Sequence, residues 1–203
     1  MTARSHAALL LATAALALAC TEEPPPPPAP APPTDVEVLR EQVGKDPNDA
    51  DAWLHLAGVY DRMSLYEDEA DALRRVVALR PGDASVHVKL GTTYGRLGRH
   101  GEAVEAFSRA ERTIKDQPVL YNNLAVSYGK LGRTSDEIAA LRRAIDLRPR
   151  YATARFNLGM ALLRAGDRPG AARELRALEA FDEGAAASLR KAIEAAPAGR
   201  GGS

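Results

Sequence analysis

One thiol and four imidazoles are the most reactive side chains among the 203 residues, and their spacing builds no site. Cys20 is the only cysteine, which permits neither an internal disulfide nor a cysteine-based zinc centre. His6 falls in an N-terminal leader, His87 at an apolar helix position, His100 in a turn, and His55 alone on a helix face. No HExxH, GxxxxGK[ST] or GxSxG string occurs. Glu69 and Glu137 occupy equivalent places in a repeat, as a pair of acid/base carboxylates would. Their position in the first turn of a helix gives them a different task, because a carboxylate there suits the helix dipole. Thr134 to Glu137 reads further as a capping box, with Glu137 reaching back to Thr134. No catalytic residue, metal, cofactor or small-molecule substrate is expected, and the chain reads as a non-enzyme. Lysine and arginine total 27 and aspartate and glutamate total 27, so no net charge draws it to nucleic acid.

The lone thiol has a setting of its own. After Arg4 comes an uncharged, alanine- and leucine-rich run from Ala7 to Ala19, the length of a signal-peptide core and short of the roughly 20 apolar residues of a membrane span. Leu16-Ala17-Leu18-Ala19-Cys20 resembles the lipobox of bacterial lipoproteins. The resemblance implies a signal peptide over 1–19, cut before Cys20, with covalent lipid on that cysteine. Ala17 departs from the leucine preferred at its place. Several acyl chains hold a protein on a membrane where one is marginal. Thr21, where an aspartate would favour inner-membrane retention, implies the periplasmic face of the outer membrane in a Gram-negative host. Ordinary secretory cleavage near Ala19, leaving a free thiol, is the alternative. Ten residues, PPPPPAPAPP from Pro24 to Pro33, follow as a stiff spacer of about 30 Å at roughly 3.1 Å per residue. A ligand for a proline-binding module is the other reading of that run.

From Asp35 onward a 34-residue period sets the architecture. Position 7 of successive units holds Leu56, Leu90, Leu124 and Leu158, and position 8 the small residues Ala57, Gly91, Ala125 and Gly159. Position 11 holds Tyr60, Tyr94, Tyr128 and Leu162, and position 24 Leu73, Phe107, Leu141 and Leu175. Positions 4, 7, 8 and 11 share one helical face, and a small eighth residue lets a second helix approach. Position 15, Ser64, Gly98, Gly132 and Gly166, falls in the turn between them. These residues resemble the tetratricopeptide repeat (TPR) family. The resemblance implies an all-α superhelix (an α-solenoid) with repeats at 50–83, 84–117, 118–151 and a degenerate 152–183. Capping helices are expected at 35–49 and 184–197, since a stacked array exposes apolar surface at each end, and 198–203 reads as a tail.

The same resemblance places positions 5, 6, 9 and 13 on the inner groove. Position 5 holds Leu54, Val88, Asn122 and Phe156, and position 6 holds His55, Lys89, Asn123 and Asn157. Met160 stands at position 9, and Arg62, Arg96, Lys130 and Arg164 form a basic row at position 13. Asparagine amides pair with an extended peptide backbone, apolar residues supply pockets, and the basic row meets acidic groups. Alternatively that row merely ends each first helix, where cations suit the dipole. The expected role is a lipid-anchored periplasmic scaffold or assembly adaptor with a protein partner in its groove. A pilotin-like factor for pilus or secretin assembly, and a docking subunit of a cell-envelope enzyme, share that plan.

Overall fold

The computed structural model describes residues 34–196; Cys20, the leader and spacer ahead of Thr34, and the tail from 197 lie outside the described residues. Ten α-helices follow one another there, with no strand among the described residues: α1 Asp35–Lys45, α2 Ala50–Arg62, α3 Tyr66–Leu79, α4 Ala84–Arg96, α5 His100–Glu111, α6 Pro118–Lys130, α7 Thr134–Leu147, α8 Ala152–Arg164, α9 Arg168–Glu179 and α10 Glu183–Ala195. Helices α2/α3, α4/α5, α6/α7 and α8/α9 form four antiparallel pairs. Each pair packs on the next, with α1 before the first and α10 lying against α8 and α9.

One turn closes every first helix. Its position-15 residue takes a left-handed backbone, with φ of 58° at Ser64, 73° at Gly98, 72° at Gly132 and 81° at Gly166. The following N–H then donates to a carbonyl five residues back: Leu65 to Tyr60, Arg99 to Tyr94, Arg133 to Tyr128 and Asp167 to Leu162, each at 2.9 Å. That bond satisfies a carbonyl the helix end leaves open. The second helix starts at once, and Leu65, Arg99 and Arg133 ahead of α3, α5 and α7 make no side-chain cap bond. Two sequence expectations are corrected here. Thr134 is the first helical residue of α7, so the Thr134–Glu137 capping box does not form, and Glu137 turns inward. His100 is the first residue of α5 and not a turn residue. A capping box does form at Thr34: its N–H donates to the Glu37 carboxylate at 2.7 Å, and the Glu37 N–H donates to Thr34 Oγ1 at 3.4 Å.

Position 4 carries a shared device in four chemical forms. Trp53 Nε1 donates to the Pro47 carbonyl at 3.0 Å, and His87 Nε2 lies 3.0 Å from the Pro81 carbonyl, a contact that needs its N–H. Tyr121 Oη reaches the Lys115 carbonyl at 3.5 Å, and Arg155 Nε the Pro149 carbonyl at 2.7 Å. Each donor ties a first helix to the carbonyl six residues earlier, in the segment joining it to the preceding helix. Arg155 also pairs with Glu174 at 2.7 Å, so this charged residue at position 4 of the last repeat is a bridge between α8 and α9.

The core runs through the stack as one cluster, with Leu56, Leu73, Phe107, Leu120 and Leu141 essentially fully buried. The small eighth position works by contact. A Cβ added at Gly91 would stand 2.8 Å from the Phe107 ring, and one at Gly159 would stand 2.6 Å from Leu189 of α10. Leu189 joins Leu178 and Ala186 in a separate C-terminal cluster that covers the exposed end of the last pair. Inner helices α4 and α6, and α6 and α8, meet directly, whereas no two of the second helices α3, α5, α7 and α9 do. The first helices therefore line the inner side.

Candidate functional site

The inner face is organised by an ion-pair rule that joins position 20 of one repeat to position 13 of the next. At the junction of repeats one and two, Arg96 hydrogen-bonds Asp61 and lies 4.0 Å from Glu69. At the junction of three and four, Arg164 donates to Glu137 at 2.6 Å. Both glutamates are buried, at 7% and 5% exposure. Burial pushes the Glu69 carboxyl above its ordinary pKa, against the opposing pull of the Thr93 hydroxyl and of Arg96. The hydrogen bond that Arg96 donates to the Asp61 carboxylate raises the Arg96 pKa. Glu69 Oε2 and Glu137 Oε2 have no hydrogen-bond partner. Room for the Glu137 carboxylate comes from Gly129, where an added Cβ would lie 2.8 Å from it.

Repeat two has Ala103 at position 20, and the rule lapses at the next junction. Lys130 there has no acidic partner within 4.0 Å among the described residues, and Arg62 facing α1 has none either. The basic row is therefore divided: Arg96 and Arg164 are neutralised from within, and Arg62 and Lys130 are not.

The asparagines divide similarly. Asn122 is 6% exposed, and its Oδ1 accepts from Asn157 Nδ2 at 3.1 Å, a bond that links two repeats. Asn123 stays on the face, with only a long 3.5 Å contact from Asn122 to its oxygen. Leu54 and Val88 are half-buried and pack against the core, while Phe156 and Met160 pack against the C-terminal cluster. His55 and Lys89 are exposed.

Three hollows mark the inner face. The first, about 420 Å³, lies between α1 and α2 and is bordered by Val38, Leu54, His55 and Arg62. The second, about 230 Å³, is walled by Gly91, Gly95, His100, Phe107, Asn123 and Val126. The third, about 320 Å³, is lined by Val126, Lys130, Glu137, Asn157, Met160 and Arg164. Among the described residues no group of histidine, cysteine, aspartate and glutamate is placed to hold a metal ion, and no helix is long and apolar enough to cross a membrane. Val126, at the same ninth position as Met160, borders both of the last two hollows, and Gly95 and Ala103 shape the face beside it. The signal for Gly95 and Ala103 is the alternation of position 20 between glutamate and alanine.

A family model described as tetratricopeptide repeat matches residues 36–84 and 122–186, and a second model of that description matches 84–115. No curated protein sequence matches the chain. Among solved structures, a crystal structure of MamA superposes with a TM-score of 0.68 at 24% identity, covering 71% of this chain and 79% of that one. MamA (41-end) from Desulfovibrio magneticus RS-1 gives 0.66 at 18% identity, covering 77% and 84%. YrrB, described as a TPR protein with an unusual peptide-binding site, gives 0.64 at 21% identity, covering 78% and 85%.

Proposed function

The chain belongs to the tetratricopeptide repeat family, and from that premise we propose that it is a non-enzymatic scaffold that holds a partner protein, through a peptide or helix, on its inner face. One observation carries the reading. The inner face keeps hollows, an asparagine amide and the cations Arg62, Lys89 and Lys130 without an acidic partner among the described residues, whereas Asn122, Asn157, Glu137 and Arg164 are bonded across repeats. The peptide-binding site named for YrrB belongs to that protein, and it supports the reading only as a precedent on the same fold.

We further propose that Cys20 is lipidated and anchors the scaffold in the cell envelope, at the periplasmic face of the outer membrane, with the proline run as spacer. Support for this is in the sequence alone: an apolar leader, Ala19 ahead of the cysteine, and Thr21 after it. A pilotin-like or envelope-enzyme docking role is a narrower version of the same scaffold, decided by the identity of the partner.

Two experiments test these statements. A photoreactive residue at Asn123 should trap a partner that the same residue at Arg142, on the outer helix α7, does not; equal capture at both places overturns the groove. Inhibition of the lipoprotein signal peptidase should accumulate the uncut precursor, and normal processing under the inhibitor removes the anchor.

A further inference from the structure

The junction of repeats two and three differs from its neighbours in two ways at once. The first is room. Where Glu137 fills the space over Gly129, the matching position over Gly95 holds Ala103, which is 0% exposed. A Cβ added at Gly95 would have nothing within 4 Å, so the hollow of about 230 Å³ stays open. Its walls are mostly apolar: Phe107 behind, Gly91 below, and Val126 at the rim, 41% exposed on a face that water reaches. Burying such surface favours an apolar guest. Its polar edge comes from Thr92, Ser127, the Asp61-bound Arg96, His100, whose Nδ1 has no partner, and Asn123, whose amide N–H groups are not taken up elsewhere.

The second is charge. Val126 also borders the next hollow, and Lys130 stands there one helical turn beyond it. Arg96 and Arg164 on either side are held by internal carboxylates, so of the position-13 row Lys130 is the cation this stretch presents to a ligand. Adjacent inner helices lie about 8–10 Å apart, and an extended strand advances about 3.3 Å per residue. Two or three residues of extended peptide therefore span from the apolar hollow to Lys130.

We propose that this junction is the specificity subsite of the groove, and that it takes an extended peptide carrying an aliphatic side chain two or three residues from a carboxylate. The proposal rests on the inner face being the binding surface. The aliphatic group fills the hollow against Phe107 and Val126, Asn123 meets the peptide backbone, and the carboxylate pairs with Lys130. At the junction of repeats three and four Glu137 takes the space over Gly129 and pairs with Arg164, so the space over Gly95 is the one left for the aliphatic group.

The test uses a displayed library of random dodecapeptides selected on the full chain, followed by titration of the selected peptides, fluorescein-labelled, against variants. Selected peptides should share the aliphatic–acidic pair at that spacing. Ala103→Glu installs the missing carboxylate over Gly95, closing the hollow and neutralising Lys130, and should weaken binding at least tenfold. Val126→Ser, at a 41% exposed position outside the buried core, should weaken it at least fivefold and gives the answer should Ala103→Glu unfold. Lys130→Gln should weaken it about two- to fivefold and flatten its salt dependence, in line with an exposed ion pair. Selected peptides without the pair, or full binding to Val126→Ser, overturn the subsite. If such peptides still crosslink to a photoreactive residue at Asn123, the groove stands and only the subsite fails. Crosslinking at Arg142 in its place overturns the groove and the subsite together.

Discussion

Arg164 and Glu137 are bonded to each other, yet the structure makes them unequal, and replacing each by glutamine should expose the difference. Glu137 is buried, with its side chain 7% exposed, whereas the Arg164 side chain is 50% exposed. Removing the cation leaves a buried carboxylate with one oxygen already unpartnered. Stripping the partner from a fully buried ion pair costs about 3–5 kcal/mol. Water reaching the vacated half-exposed position reduces this to about 1–3 kcal/mol. Removing the carboxylate instead frees Arg164 to hydrate and leaves a neutral amide in place, at a cost below about 1 kcal/mol. In urea unfolding with a slope of about 2 kcal/mol/M, Arg164→Gln should lower the midpoint by roughly 1 M and Glu137→Gln by less than half of that. The double variant should fall near Glu137→Gln, because the stranded charge is gone. Equal losses, or a larger loss for Glu137→Gln, would refute the account of position 20 as a buried charge held by its neighbour's arginine.

Three further outcomes follow from particular contacts. Glu69 has its folded pKa raised by burial, so its contribution to stability is complete below the unfolded carboxylate pKa of about 4.3 and is lost as pH rises through the folded value. Glu69→Gln does not titrate there and should gain on the parent chain between pH 4 and 7 in unfolding measurements; a pH-independent difference contradicts this. Ser64 holds φ of 58°, where the other three repeats have glycine, and Ser64→Gly should raise stability by up to about 1 kcal/mol; an unchanged or lower midpoint refutes it. Phe107→Ala should cost about 3–5 kcal/mol, and Gly91→Ala about 1–3 kcal/mol through its 2.8 Å approach to that ring. A Gly91→Ala loss that persists in full when Phe107 is already alanine would show that the ring is not its cause.

Features confined to one repeat were legible in the sequence. The period, the small eighth residue and the turn at position 15 announce themselves by residue type, and the helices follow them. Position 4 was not legible in that way, because Trp53, His87, Tyr121 and Arg155 share no residue class. They share a donor of the right reach, which appears only once the preceding segment is folded beneath it. The division of the basic row was hidden for another reason. Arg164 and Glu137 are 27 residues apart and meet only through stacking of successive repeats. Composition at position 13 reads as four equal cations, and the stack makes two pairs and two unpaired charges. Asn122 and Asn157 likewise read as ligand amides and prove to be bonded to each other. Cys20 lies outside the described residues, so its role rests on the sequence motif alone.

Hydrogen exchange of the chain, alone and with the partner captured at Asn123, tests the central claim most directly. Binding on the inner face should slow exchange in α4, α6 and α8 and leave the outer helices α3, α5 and α7 as they were. Protection confined to the outer helices would contradict it.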